Sequence, residues 1–112
     1  MGYEVRVLQP ALQFLETLDL KMKAKAYRII SLLRDFGPFL TEPHSKKITG
    51  TKNLYELRVK QGNNICRLFY AHSEGKVYIV TSGFIKKKNK TSKSELDKAE
   101  RIMNKYMEGN LE

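Results

Sequence analysis

The sequence contains no tryptophan, a single cysteine and no long apolar run. Cys66 has no second cysteine to pair with, so an internal disulfide is excluded and a reducing compartment is favoured. A membrane-spanning helix needs roughly 18 consecutive apolar residues, and no stretch of the chain approaches that length. The N-terminus, MGYEVRVLQP, has strand character and lacks the apolar core of a secretory signal. These absences predict a cytoplasmic protein without a membrane span.

Acidic residues are also scarce: 12 stand against 21 lysines and arginines, which gives a net charge of +9. The excess is concentrated between His44 and Tyr70, where Glu56 is the only acid, and in a lysine-rich run that begins at Lys86. Such an imbalance is usually retained for a polyanionic partner. No basic helix with a broad apolar face stands out, so nucleic acid is favoured over an anionic membrane surface.

Three apolar, β-branched and aromatic runs organise the chain, and they predict strands at Leu54–Lys60, Ile65–His72 and Val77–Lys86. The breaks between them, QGNN and SEG, are short and rich in turn formers. Two such breaks are typical of consecutive hairpins, so the three runs predict an antiparallel meander.

The flanking segments predict one further strand and three helices. Residues Tyr3–Leu8 alternate as a half-buried strand, and Pro10 opens a helix that continues to about Leu18. A second helix runs from about Met22 to Leu33 and ends at Gly37-Pro38. A short strand is expected at 46–49, and Ser92 with Glu95 is spaced as a capping box for a C-terminal helix. We therefore predict one α+β domain over residues 1–112, with the N-terminal strand and a helical hairpin packed on an antiparallel sheet, and helices on one sheet face.

Alternation along the strands assigns the two faces of the meander. One face is predicted to carry Tyr55, Leu57, Val59, Cys66, Leu68 and Tyr70, and the other Glu56, Arg58, Lys60, Ile65, Arg67 and Phe69. If helices cover the first face, Arg58 and Arg67 point together from the open face and reach one phosphate. The structural alternative is that both arginines pair with Glu56 or with the C-terminal helix.

Other candidate residues surround this arginine pair. The lysine run is either a solvated loop or, tethered by the strand before it, a source of phosphate contacts. The predicted nucleic-acid-binding set is Lys46, Lys60, Lys88, Lys90 and Phe84. His44, in the loop before the meander, is a candidate general base because histidine titrates near pH 6.5. Tyr55 and Tyr70 are predicted core aromatics, Cys66 a buried small hydrophobe, and no metal-ligand spacing is present.

Three segments, LYELRV, CRLFY and TSGFIKKKNKTSKSELDKAERI, together resemble the RelE/ParE toxin superfamily of bacterial type II toxin–antitoxin systems, and in particular its phage-related HigB-like branch. The strand and helical hairpin that precede them also have the family's order, so the resemblance covers nearly the whole chain. It implies a small basic toxin of RelE-like fold, without a cofactor, neutralised by a cognate antitoxin that in this branch usually carries a helix-turn-helix domain.

The resemblance also implies an activity. RelE- and HigB-type members cleave mRNA in the ribosomal A site without a metal, so the expected partners are the ribosome and mRNA. The ribose 2′-OH attacks the adjacent phosphate, which leaves a 2′,3′-cyclic phosphate and a free 5′-OH. By motif, Arg67 matches a position that contacts the scissile phosphate, and Arg58 matches a basic strand position that lines the same site. The implied catalytic set is Arg67, Lys86, Lys87 and Arg58, with Lys47 or His44 as base.

One departure affects proton transfer. RelE has a catalytic tyrosine near the start of its C-terminal segment, whereas this chain reads Asn89-Lys90-Thr91-Ser92 there. A lysine with an ordinary pKa near 10.4 is a poor base at neutral pH unless neighbouring cations lower that pKa. The crowding of Lys86, Lys87 and Lys88 offers a reason for such a change. Two alternatives to an endoribonuclease follow: a ParE-like inhibitor of DNA gyrase, and a catalytically silent nucleic-acid-binding module.

Overall fold

The computed structural model describes residues 2–87 and 92–109. Its helices are α1 (Gln9–Glu16), α2 (Leu20–Phe36) and α3 (Lys93–Met107), with a short 3₁₀ turn at Gly37–Phe39. Its strands are β1 (Glu4–Val7), β2 (Ser45–Lys47), β3 (Leu54–Gln61), β4 (Asn64–His72) and β5 (Val77–Ile85). The predicted meander is confirmed, and each of its strand ends lies within one residue of the expected position.

Local chemistry explains where the helices begin and end. The Asp19 side chain accepts a hydrogen bond from the Met22 N–H at 2.8 Å and caps α2. Ser92 Oγ accepts from the Glu95 N–H at 3.3 Å and caps α3, as the sequence predicts. At the other end of α2, Gly37 adopts φ 51°, a left-handed conformation that favours glycine.

The five strands form one sheet in the order β1-β5-β4-β3-β2. The meander pairs and the β2–β3 pair are antiparallel, whereas β1 lies parallel to β5. The sheet is therefore mixed, because the chain crosses over through α1 and α2 before it enters the meander. In the β3–β4 register Arg58 lies directly opposite Arg67, as alternation and the short hairpin predict.

The helices cover both faces of this sheet, so the prediction that they lie on one face is wrong. Helices α1 and α2 bury the predicted face, whose core includes Leu57, Val59, Cys66, Leu68 and Tyr70. Helix α3 packs on the opposite face, where Ala99 joins a second cluster with Leu54, Phe69, Ala71 and Ile79. The arginine-bearing face is consequently open only where α3 does not reach it. No helix within residues 2–87 and 92–109 is long and apolar enough to cross a membrane.

Candidate nucleic-acid interface

Arg58 and Arg67 lie on the face of the sheet that α3 partly covers, and the Glu56 carboxylate lies between them. Arg67 Nη1 donates to Glu56 Oε2 at 2.6 Å, and Arg58 Nε lies 3.5 Å from the same oxygen. The side chains of Glu56 and Arg67 are only 8% and 11% exposed, whereas that of Arg58 is 30% exposed. The structural alternative, a pairing with Glu56, is thus confirmed for both arginines, more closely for Arg67, while Arg58 keeps access to solvent.

Shared use of one carboxylate leaves the group positively charged. Two guanidinium groups face a single Glu56 oxygen, and the Nε atoms of Arg58 and Arg67 are buried without a hydrogen-bond partner in the described parts of the chain. Burial of an incompletely compensated charge is costly. An anion that approached Arg58 would reduce this cost, so the arrangement favours an anionic ligand.

Lys86 extends the same positive group. Its backbone N–H donates to the Ile65 carbonyl at 2.9 Å, which continues the β4–β5 ladder past the end of β5. Desolvation lowers the pKa of Lys86, and the positive charge of Arg67 lowers it further, while Glu56 acts in the opposite direction. The expected depression of a lysine pKa is therefore present at Lys86, with burial as its largest cause and Arg67 as the next.

A cleft of about 510 Å³ opens beside the arginines at the end of β3 that β2 does not cover. Strand β2 pairs only with residues 55–57 of β3, and beyond it the His44 carbonyl accepts the Arg58 N–H at 2.8 Å. His44, Arg58 and Arg67 all line the cleft, and Lys60 stands at the same end of β3. The predicted base is therefore next to the predicted phosphate ligands.

Residues 13–104 match the family model described as Phage derived protein Gp49-like (DUF891). The chain belongs to this Gp49-like family. No curated protein matches the sequence.

Two solved structures share the fold of this Gp49-like chain. One is a mutant of E. coli toxin RelE in the free state, with 18% identity and a TM-score of 0.62, covering 96% of this chain and 99% of the other. The second is RelE from the archaeal RelE–RelB complex of Pyrococcus horikoshii, with 21% identity and a TM-score of 0.57, covering 76% and 96%. The predicted RelE-like fold is confirmed.

The two neighbouring lysines of β2 point to different faces of the sheet. Lys46 lies opposite Glu56 and shares its face, so this predicted nucleic-acid contact belongs to the arginine side. Lys47 lies opposite Tyr55, with its Nζ 5.9 Å from the centre of that ring and bonded to the Thr51 carbonyl at 3.0 Å. The structure therefore does not bring Lys47 to the arginines, because a strand alternates its side chains, and of the two base candidates only His44 is placed there.

The remaining predicted contacts are distributed around the end of β5. Phe84 lies opposite Arg67, and its partly buried ring stacks on Phe69 at 5.5 Å, which leaves less of it for a base to stack upon. Lys87 is exposed. Lys88 and Lys90 lie outside the described residues, as does most of the segment in which RelE carries its tyrosine.

Sequence reasoning missed one wall of the cleft. Lys25 and Ile29 of α2 line it opposite the β3 residues, and neither was among the predicted site residues. The available signal was its spacing, because Lys25 stands one helical turn before the buried Ile29. The prediction for Cys66 is confirmed: it is buried on the α1–α2 face, and burial raises the pKa of its thiol to about 11.

Proposed function

We propose that the protein is the toxin of a type II toxin–antitoxin pair and cleaves mRNA on the ribosome by attack of the ribose 2′-OH on the adjacent phosphate. The observation that carries this proposal is the arginine-side cluster, which we define as His44, Arg58, Arg67 and Lys86 around Glu56, on a RelE-like fold. Among the described residues, Arg58, Arg67 and Lys86 place three cationic groups beside the Glu56 carboxylate. A phosphodiester that passes through a pentavalent state needs that excess of positive charge.

The roles within the cluster follow from exposure. Arg58, which is 30% exposed and lines the cleft, contacts the scissile phosphate directly. Arg67 donates to Glu56 at 2.6 Å, so its guanidinium group is held in place. It contributes a fixed positive charge, and the edge of the group that does not face Glu56 remains for the phosphate. A fixed charge needs no reorganisation when negative charge develops, which is the property that electrostatic catalysis requires.

Proton transfer needs an acceptor at the 2′-OH and a donor at the leaving 5′-oxygen. His44 is the proposed acceptor, because it lines the cleft beside Arg58 and its imidazole has a nitrogen that can take a proton. Lys86 is the proposed donor. Its lowered pKa makes its ammonium group a stronger acid than that of an ordinary lysine.

The proposed partner is an antitoxin with a helix-turn-helix domain, and the ribosome and mRNA are the proposed targets. One solved relative is RelE in complex with RelB, so an antitoxin is a known partner of that fold. An acidic antitoxin segment over the arginine-side cluster would compete with RNA. Relief of toxicity with Arg58 and Lys86 still accessible to a chemical probe would show that inhibition does not work by covering the cluster.

The test is expression in bacteria followed by mapping of mRNA 5′ ends. The native chain should arrest growth and produce new ends that carry a 5′-hydroxyl within ribosome-covered messages, and Arg58→Ala should abolish them. The matched control is Arg28→Ala, an exposed arginine on α2 that does not line the cleft, which should leave cleavage unchanged. Growth arrest with intact transcripts would refute the nuclease, and relaxed or cleaved plasmid DNA would then indicate a gyrase inhibitor.

A second candidate is a catalytically silent RNA-binding module. Two observations favour this module. The 2.6 Å contact between Arg67 and Glu56 makes one arginine less available to a substrate. In addition, residues 89–92 include no tyrosine. In that case Arg58→Ala weakens RNA binding, while neither the native chain nor the variant cleaves any message.

A further inference from the structure

A second cleft, of about 400 Å³, lies away from the arginine-side cluster at the opposite end of the meander strands. It is set between the β1 end, the turn that follows α2 and the α1–α2 side of the sheet. We call it the tyrosine cleft, and its aromatic lining consists of Tyr3, Tyr55, Tyr70, Tyr78 and His72. A volume of this size is in the range that binds small molecules.

The rings are fixed by contacts with one another. Tyr55 stacks on Tyr70 with centroids 5.2 Å apart, and Tyr78 meets Tyr70 edge-on at 5.9 Å. Tyr3 also meets Tyr78 edge-on at 5.9 Å, and the His72 ring lies 5.1 Å from Tyr78. Rings that are fixed by contacts with one another lose little conformational freedom when a flat ligand binds. The cleft is therefore preorganised for an aromatic ligand.

Lysines stand at two sides of the tyrosine cleft. Lys47 Nζ lies 5.9 Å from the centre of the Tyr55 ring, and Lys76 Nζ lies 5.9 Å from the centre of the Tyr3 ring. Aromatic cages that bind cationic ligands use their rings to attract the ligand's charge. Here two of the protein's own ammonium groups already lie near the rings, so the cleft disfavours a cation and favours a ligand with negative charge.

Polar groups in the tyrosine cleft offer hydrogen bonds in both directions. Asn53 Nδ2 donates to the His72 carbonyl at 2.9 Å, which orients the amide and leaves its oxygen as an acceptor. Tyr3, Tyr55 and Tyr78, which line the same cleft, each carry a hydroxyl that can donate or accept. Burial raises the pKa of Tyr78, so its hydroxyl stays protonated and remains a donor. A cleft that accepts a flat ring and offers both hydrogen-bond donors and acceptors suits the edges of a nucleobase.

We propose that the tyrosine cleft binds a nucleotide, with the base against the tyrosine rings and the phosphate at Lys76, since Lys47 Nζ already donates to the Thr51 carbonyl. Stacking on aromatic side chains beside basic groups is how proteins hold unpaired nucleotides of any sequence. The ligand is either a free nucleoside monophosphate or one unpaired nucleotide of a single-stranded RNA. The site is separate from the arginine-side cluster and stands whether or not the protein cleaves RNA.

The experiment uses the full chain with AMP, adenosine, a hexanucleotide of oligoadenylate and a hexaglutamate peptide as probes. Aromatic NMR resonances of the six tyrosines report where each probe binds, and calorimetry gives its affinity. AMP should shift the resonances of Tyr3, Tyr55 and Tyr78 and leave Tyr27 unmoved. Adenosine should bind more weakly than AMP, since it lacks the phosphate. If oligoadenylate binds clearly more tightly than AMP, the ligand is an RNA segment. If the two bind with equal affinity, the ligand is the free nucleotide.

Two matched pairs of variants complete the test. Tyr55→Leu and Lys76→Met should each weaken AMP binding, the first by about tenfold, which corresponds to the loss of one base–aromatic stack. Tyr27→Leu, an exposed tyrosine on α2, and Lys98→Met, an exposed lysine on α3, should bind as the native chain does. Equal losses in the controls, or no ring shifts with AMP and oligoadenylate, would overturn the proposal. Ring shifts with hexaglutamate alone would instead assign the cleft to an acidic peptide.

Discussion

At the scale of single residues, the arginine-side cluster depends on a carboxylate that two arginines share. Glu56 Oε2 contacts Arg67 at 2.6 Å and Arg58 at 3.5 Å, and its side chain is 8% exposed. Without that carboxylate the two guanidinium groups would face each other directly across adjacent strands. Glu56 therefore keeps two like charges together, close enough to act on one phosphate.

Glu56→Gln should destabilise the fold by about 3 kcal/mol, because removal of one partner from a buried ion pair leaves uncompensated charge behind. Urea denaturation of the purified chain measures the change. Glu16→Gln is the matched control: Glu16 is 70% exposed and pairs with Lys23 at 3.2 Å, so its loss should cost less than about 1 kcal/mol. Similar costs for both variants would mean that the Glu56 pairing contributes little.

Lys86 provides a prediction about pH. Its folded-state pKa is lowered by desolvation and by Arg67, so between the folded and unfolded pKa values the unfolded chain binds more protons. Stability contributed at this position must therefore rise as pH increases through that window. NMR titration of the Lys86 ammonium group should give a midpoint below 10.5, and the native chain should gain stability relative to Lys86→Met over the same pH range. A midpoint at or above 10.5 would contradict the assigned environment.

Part of this residue-level picture could be predicted from the sequence. The alternation of ELRV and CRLF, with a short turn between the strands, is sufficient to place Arg58 opposite Arg67. Which of the two pairs more closely with Glu56 is a matter of side-chain torsions, and a strand pattern carries no information about those. Which of Lys46 and Lys47 faces the arginines was equally beyond reach, because a three-residue strand has no pattern that fixes its register.

At the scale of elements, the position of α3 decides how much of the arginine-bearing face is open. The sequence predicts the helix and its N-terminal cap but not the face on which it packs. A signal was nevertheless present in β4, where Leu68, Phe69, Tyr70 and Ala71 form an unbroken apolar run. Such runs are typical of strands covered on both sides. All four residues are buried, two against each helical layer.

Contact between α1 and β5 depends on a glycine. A Cβ at Gly83 would lie 2.5 Å from Phe14 and 2.6 Å from Leu68, so α1 packs where only glycine fits without rearrangement. Gly83→Ala should lower the free energy of unfolding by about 1–3 kcal/mol, the usual cost of overpacking. Gly2→Ala, whose Cβ would meet nothing within 4 Å, should leave the unfolding midpoint unchanged. An unchanged midpoint for Gly83→Ala would show that Phe14 moves aside at little cost.

At the scale of the whole molecule, a net charge of +9 acts on any polyanion before contacts are made. The sheet separates two places where such a ligand can be held: the arginine-side cluster on one face and the tyrosine cleft, with Lys47 and Lys76, on the other. A field of this kind raises association rates without selecting a site. Fixed contacts must therefore provide selectivity, and those contacts can be counted by salt dependence.

Binding of single-stranded RNA should weaken with salt, and the slope of log K against log salt should fall by about 0.7 for each phosphate contact removed. Lys86→Met should reduce that slope by about one such contact, because Lys86 stands in the arginine-side cluster. Lys98→Met removes the same charge from the exposed side of α3 and should leave the slope near that of the native chain. Fluorescence anisotropy with a labelled oligonucleotide, measured from low to moderate salt, gives all three slopes. Equal reductions for the two variants would mean that net charge, rather than a fixed contact at Lys86, governs the binding.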